Sequence, residues 1–123
     1  MRRVLRRVLE GQAIYYILTG VWPLVSLRTF ERVTGPKVDD WLVQTVGVLA
    51  AVIGTALLIG ARQARPSPET LVLSIGAAAG FAAVDLFFVL AGRIPLIYLA
   101  DAAVEVLVLG MVLAAWESVR HGG

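Results

Sequence analysis

The sequence predicts an all-α fold, a four-helix transmembrane bundle with antiparallel up-down topology. Three observations carry this: 59% of the 123 residues are hydrophobic, only 16% are charged, and the apolar residues fall into four blocks of near-spanning length. Soluble chains average roughly 45–50% apolar and about 25% charged residues. A spanning helix needs about 20 mostly apolar residues, so four spans with short connections account for residues 1–123 as a single membrane domain.

The first block, 11–27, follows Arg2, Arg3, Arg6 and Arg7. A basic run before an apolar stretch has the outline of a signal peptide, but no small-residue cleavage site follows and three more blocks do, so the block is expected to be retained. A second reading lays residues 1–10 on the lipid headgroups as a basic amphipathic turn, and both readings put them at the cytoplasmic face. Before the second block, 41–61, Thr34-Gly35-Pro36-Lys37 is a turn signal. Asp39 and Asp40 stand where a helix start favours carboxylates. The third block, 70–91, is preceded by Ser67 as a cap and Pro68 at the first helical position. Gly92-Arg93-Ile94-Pro95 then forms a hairpin into the fourth block, 95–116. Connections this short make successive helices antiparallel neighbours.

Orientation follows from the basic residues. Arg2, Arg3, Arg6, Arg7, Arg62, Arg65 and Arg120 fall on one side, against Arg28, Arg32, Lys37 and Arg93 on the other. The excess puts both termini in the cytoplasm, in a cell membrane expected to be a bacterial inner membrane. Trp22, Trp41 and Trp116 mark block ends, where an amphipathic ring prefers the headgroup level.

In lipid, helices are held by small residues that let backbones approach and by interhelical hydrogen bonds. Gly76-Ala77-Ala78-Ala79-Gly80 with Ala82 and Ala83, and Gly47, Ala51 and Gly54, are the expected packing faces. Contact within the chain is favoured over a homodimer seam, because four spans have to pack.

Three carboxylates fall inside apolar blocks: Asp85, Asp101 and Glu105. Each costs a few kcal/mol at the membrane centre, so they are expected to face the bundle or a wet cavity. Asp85 and Asp101 each lie eight residues from Arg93. On antiparallel helices this sets them at similar depth, about 12 Å from the turn. Glu105 is one turn beyond Asp101 on the same face. The same depth arithmetic brings in Tyr16 and Thr19 at the level of the acids, Gln44 slightly nearer the surface, and Tyr98 one turn before Asp101. Arg28 and Arg93, near the outer rim, are the candidate ion-pair partners, their stems long enough to reach inward. Pro23 removes a backbone donor beside this patch. Glu10 with Arg6 or Arg7, and Glu117 with Arg120, read as solvated helix ends.

Three functions compete for the patch. It is a buried network that fixes helix register, as in an accessory or structural subunit of a membrane complex. It is a protonatable pocket, opening toward the outer face, that binds or moves a small cationic or amphiphilic ligand. Or it is the acid–base pair of a lipid-modifying enzyme. The second is favoured, because enzymatic chemistry lacks supporting residues. The chain has no cysteine, and its one histidine, His121, sits in a polar tail. No metal and no cofactor is therefore expected, and a haem or quinone role has no axial histidine. A nucleic-acid partner is not expected either, since the basic run directly precedes a span and suits anionic lipid. The remaining partners are the bilayer, a small ligand, and a homodimer or larger membrane complex.

The run Tyr15-Tyr16-Ile17-Leu18-Thr19-Gly20-Val21-Trp22-Pro23-Leu24, the segment Phe30-Glu31-Arg32-Val33-Thr34-Gly35-Pro36 and the glycine-bearing second block together resemble the layout of small DoxX-like four-helix membrane proteins. The resemblance lies in hydropathy, loop order and the aromatic–Thr-Gly loop. It implies a four-helix bundle, with some relatives associated with membrane redox or sulfur-oxidising enzymes. This chain lacks cysteine and intramembrane histidine, so neither a redox role nor any functional residue is carried across.

Overall fold

The computed structural model describes residues 2–35 and 40–122, with side chains as far as residue 120. Among the described residues it contains five helices: α1 (Arg2–Val25), α2 (Leu27–Thr34), α3 (Asp40–Ala61), α4 (Pro68–Leu90) and α5 (Tyr98–Gly122). Pro36, Lys37 and Asp39 of the expected turn and cap, and the His121 side chain, lie outside the described residues. Three helices, α3, α4 and α5, are long and apolar enough to cross a membrane.

The first helix departs from expectation. Rather than starting near Gly11, it begins at Arg2 and runs unbroken for 24 residues through Pro23. It is not among the helices apolar enough to be a span on its own, yet Leu5 and Leu9 are fully buried. They pack on Ala61, Leu71, Val112 and Ala115, drawn from the three other long helices. Residues 2–10 are thus part of the packed bundle, with Arg2, Arg3, Arg6 and Arg7 exposed.

A helix was also hidden in the first connection. Ser26 breaks out of helical geometry, and its hydroxyl accepts from the Thr29 backbone N–H. That cap starts α2, which folds back so that Trp22 stacks edge-on against Phe30 at 5.3 Å and donates to Thr29 Oγ1 at 2.9 Å. The helix stops at Gly35, whose φ of 94° suits glycine. A side chain there would start 3.0 Å from Pro95 Cγ in the other loop at this end.

The remaining boundaries have local causes. Ser67 accepts from Thr70 N and Pro68 opens α4, as the sequence indicated. The hairpin turns through Gly92 at φ 72°. The fourth block becomes helical at Tyr98 rather than at Pro95. Pro95 to Ile97 form a tighter turn, with Tyr98 N donating to Pro95 O and Leu99 N to Leu96 O.

Packing centres on α1, which lies against both α3 and α5, while α5 also holds α4. The α1–α3 seam is backbone on backbone. A Cβ on Gly20 would sit 2.5 Å from Gly47 O, and one on Gly54 would sit 2.7 Å from Ala13 O. Gly20 meets Gly47 and Ala13 meets Gly54, so the two chains run in opposite directions. Gly47 and Gly54 thus stand in the expected seam. Gly76 and Gly80 do not: both are exposed, and a Cβ on either would meet nothing within 4 Å. On α4 the inward positions are instead Leu71, Ser74, Ala78, Asp85 and Val89. That three- and four-residue spacing leaves the Gly76–Gly80 edge pointing away from the bundle.

The outer surface is what lipid would require. Leu18, Trp41, Val72, Phe87 and Leu90 are each between 65% and 77% exposed. A soluble chain does not leave so many large apolar side chains on all sides.

Candidate functional site

Buried positions on α1 form one stripe, Leu5, Leu9, Gln12, Ala13, Tyr16, Gly20 and Pro23. The apolar members pack, and the two polar ones need partners. Tyr16 donates its hydroxyl to Glu105 Oε2 at 2.6 Å and accepts from Gln12 Nε2 at 3.1 Å. Gln12 Nε2 also donates to the Ser74 carbonyl at 3.0 Å, and Ser74 Oγ donates back to Gln12 Oε1. A closed chain of hydrogen bonds therefore ties α5 to α1 and α1 to α4. Its members are almost fully sealed, with Glu105 and Gln12 1% exposed and Ser74 0%. Phe81 lies edge-on to the Tyr16 ring at 5.4 Å.

A second arm starts one residue earlier. The Tyr15 hydroxyl donates to Asp101 Oδ1. Asp101 lies within hydrogen-bonding reach of Asp85, and Glu105 is near enough to both to add its charge to theirs. Asp85 is only 7% exposed, and its Oδ2 is buried without any hydrogen-bond partner. The group facing Asp85 is another carboxyl, where a paired acid would face a donor.

The helices explain the convergence. Asp85 is on the inward stripe of α4, and Asp101 and Glu105 are i and i+4 on α5. α4 packs on α5 and α1 packs on α5, so one cross-section of the bundle holds both tyrosines and all three acids.

Of the other expected neighbours, Thr19, Gln44, Arg28 and Arg93 stand apart from this cluster. Thr19 turns its hydroxyl onto its own helix, donating to Tyr15 O at 2.7 Å. Gln44 is half-buried on α3 and bonds to none of the acids. Tyr98 is half-buried one turn before Asp101. Arg28 and Arg93 are exposed. Among the described residues the ion pairs are Arg6 with Glu10 at 3.5 Å and Arg120 with Glu117 at 3.0 Å, both at helix ends. Arg28 leaves on α2 and Arg93 sits in the hairpin turn, so the two expected partners stay at the rim.

Three members were not singled out from the sequence: Tyr15, Gln12 and Ser74. Gln12 and Tyr16 are i and i+4, so the pair is readable once Tyr16 is placed inward. Tyr15 and Ser74 depend on how far each helix is rotated about its axis, which depth arithmetic does not give. No three acidic or histidine side chains converge in metal-site geometry among the described residues. Two cavities, of about 300 and 490 Å³, lie at the other end of the bundle, around Trp116.

Comparisons with protein-family models, with characterised proteins and with solved structures gave no match to this chain.

Proposed function

We propose that the chain is a four-span, antiparallel up-down membrane protein with both termini cytoplasmic. In this reading Asp85, Asp101 and Glu105 form a protonatable site that binds or moves a small organic cation. α1 is read as the fourth span because it lies along α3 from Ala13–Gly54 to Gly20–Gly47, and α3 is itself of spanning length. The side is read from the arginines of α1 and the α3–α4 loop.

One observation carries the site reading: Asp85 Oδ2 is buried with no donor, next to Asp101, with no arginine at either. An unpaired buried charge costs several kcal/mol. Two carboxyls in contact avoid that cost by sharing one proton or one cation, and exchange between the two is the elementary step of proton-coupled binding. Tyr15 and Tyr16, with Gln12 behind, hold Asp101 and Glu105 in place, which leaves Asp85 as the group with free acceptor capacity.

The hydrogen-bonded arm through Gln12 and Ser74 favours a second reading, a network that only locks register in an accessory subunit. The test is proton release on adding tetraphenylphosphonium to the purified protein in weakly buffered detergent. Release that disappears in Asp85→Asn, with the variant still folded, supports the site. No release from wild type, with Asp85→Asn changing only thermal stability, leaves the network reading. Conversion of added lipid, seen by mass spectrometry and lost with one acid, would instead reveal a lipid-modifying enzyme.

A further inference from the structure

The hydroxyl and amide donors of the polar network are all engaged. The Tyr15 hydroxyl goes to Asp101 and the Tyr16 hydroxyl to Glu105. Gln12 Nε2 is shared between the Tyr16 oxygen and the Ser74 carbonyl, and Ser74 Oγ donates to Gln12 Oε1. The Thr19 hydroxyl turns back onto its own helix. Against these donors stand three carboxyls, and Asp85 Oδ2 is a buried oxygen that none of the donors reaches. The cluster is rich in acceptors and short of donors.

That imbalance bears on what can replace a proton there. While Asp85 or Asp101 is protonated, the O–H of one carboxyl donates to the other. Exchanging that proton for a cation removes the donor together with the charge. A buried acceptor left without a donor is penalised, so the incoming cation has to return a hydrogen bond as well as a charge. An ammonium with at least one N–H does both. A quaternary ammonium or a phosphonium returns charge alone and sets carbon against the oxygen. The nearby rings do not form the open cage that favours quaternary cations: Tyr16 and Phe81 meet edge to face at 82° and pack on each other.

We infer that the ligand of this site is an amine in its ammonium form, primary, secondary or tertiary, whose N–H donates to Asp85 Oδ2 beside Asp101. This rests on the proposed cation site and narrows it to cations that carry an N–H. Asp101 and Tyr15 are half-buried whereas Asp85 is buried, so the charged end meets Asp101 first and Asp85 second. A site built around such a donor discriminates sharply against the analogue that lacks it. The trend in water runs the other way. An ammonium rich in N–H is strongly hydrated, and a site offering only negative charge would favour the fully methylated cation.

The test is calorimetric titration of the purified protein in detergent with phenethylamine and its N-methyl, N,N-dimethyl and N,N,N-trimethyl derivatives, all cations near neutral pH. The first three keep an N–H and are expected to bind. The trimethyl compound should bind about tenfold or more weakly than the dimethyl compound, the effect of one hydrogen bond to a charged group. Asp85→Ala keeps Asp101 and Glu105 but removes the acceptor, and should abolish that step; measured in the same micelles, it also corrects for partitioning of the amines. A trimethyl compound bound by wild type as tightly as the dimethyl overturns the inference, and proton release by tetraphenylphosphonium in the same preparation would then leave the cation site standing without it. A step that survives in Asp85→Ala overturns the assignment to Asp85. Binding by none of the amines and not by the phosphonium overturns both readings. Should Asp85→Ala fail to fold, the wild-type series decides alone.

Discussion

Tyr15 and Tyr16 are adjacent in sequence, yet their hydroxyls serve different acids because a step of one residue turns the side chain by about 100° around the helix. Tyr16 lies on the inward stripe and is 2% exposed, whereas Tyr15 is half-buried at its edge. The two should therefore respond unequally to loss of the hydroxyl. Tyr16→Phe leaves Glu105 and Gln12 each short of a partner in a sealed site, and is expected to destabilise by about 1–3 kcal/mol in thermal unfolding in detergent. Tyr15→Phe should cost less, since Asp101 is itself half-buried and retains access to solvent or ligand. Equal losses would mean that Glu105 finds another donor. At this scale the sequence showed the acids, because charge in an apolar block is conspicuous. It did not show Gln12 or Ser74, because a small polar residue in a helix is unremarkable until its partner is known.

Between helices, small residues had to be sorted into those that touch something and those that do not. Gly47 and Gly54 on α3 are seven residues apart and Gly76 and Gly80 on α4 are four apart, but only the α3 pair abuts another backbone. Gly54→Val or Gly20→Val would drive a side chain into the facing helix, where a Cβ already falls within 3 Å of main-chain atoms. Each is expected to lose about 1–3 kcal/mol or to prevent folding. Gly80→Val, pointing into open space, should stay within about 0.5 kcal/mol of wild type. A large loss at Gly80 would show that the α4 edge is covered by a second chain in the membrane. The Ser67 cap of α4 is a separate, local contribution. Ser67→Ala removes the acceptor for Thr70 N and should cost about 1 kcal/mol.

At the scale of the whole molecule, the number of crossings and their direction define the topology. Three are apolar enough by themselves, and the fourth crossing rests on α1 lying alongside α3. The absence of cysteine makes this directly measurable by single-cysteine labelling in intact cells with a membrane-impermeant maleimide. Ser118→Cys and Arg3→Cys should both be protected, and Arg93→Cys should label. Labelling of position 3 but not 118 would reduce the count to three spans and put α1 on the outer face.

Composition and local pattern were enough to establish that the chain is helical, that it belongs in a membrane, and that α4 begins at Ser67-Pro68. Hydropathy over twenty residues and capping within one turn do not depend on what lies across the bundle. The helix rotations do depend on it, and they came from packing. They bury Gln12 and Tyr16 against α4 and α5, turn Gly76 and Gly80 outward, and hold Arg28 and Arg93 away from the acids. Rotation about a helix axis is set by which backbones can approach most closely. The glycine seam between α1 and α3 sets the rotation of α1 that turns Tyr15 and Tyr16 toward the acids of α5.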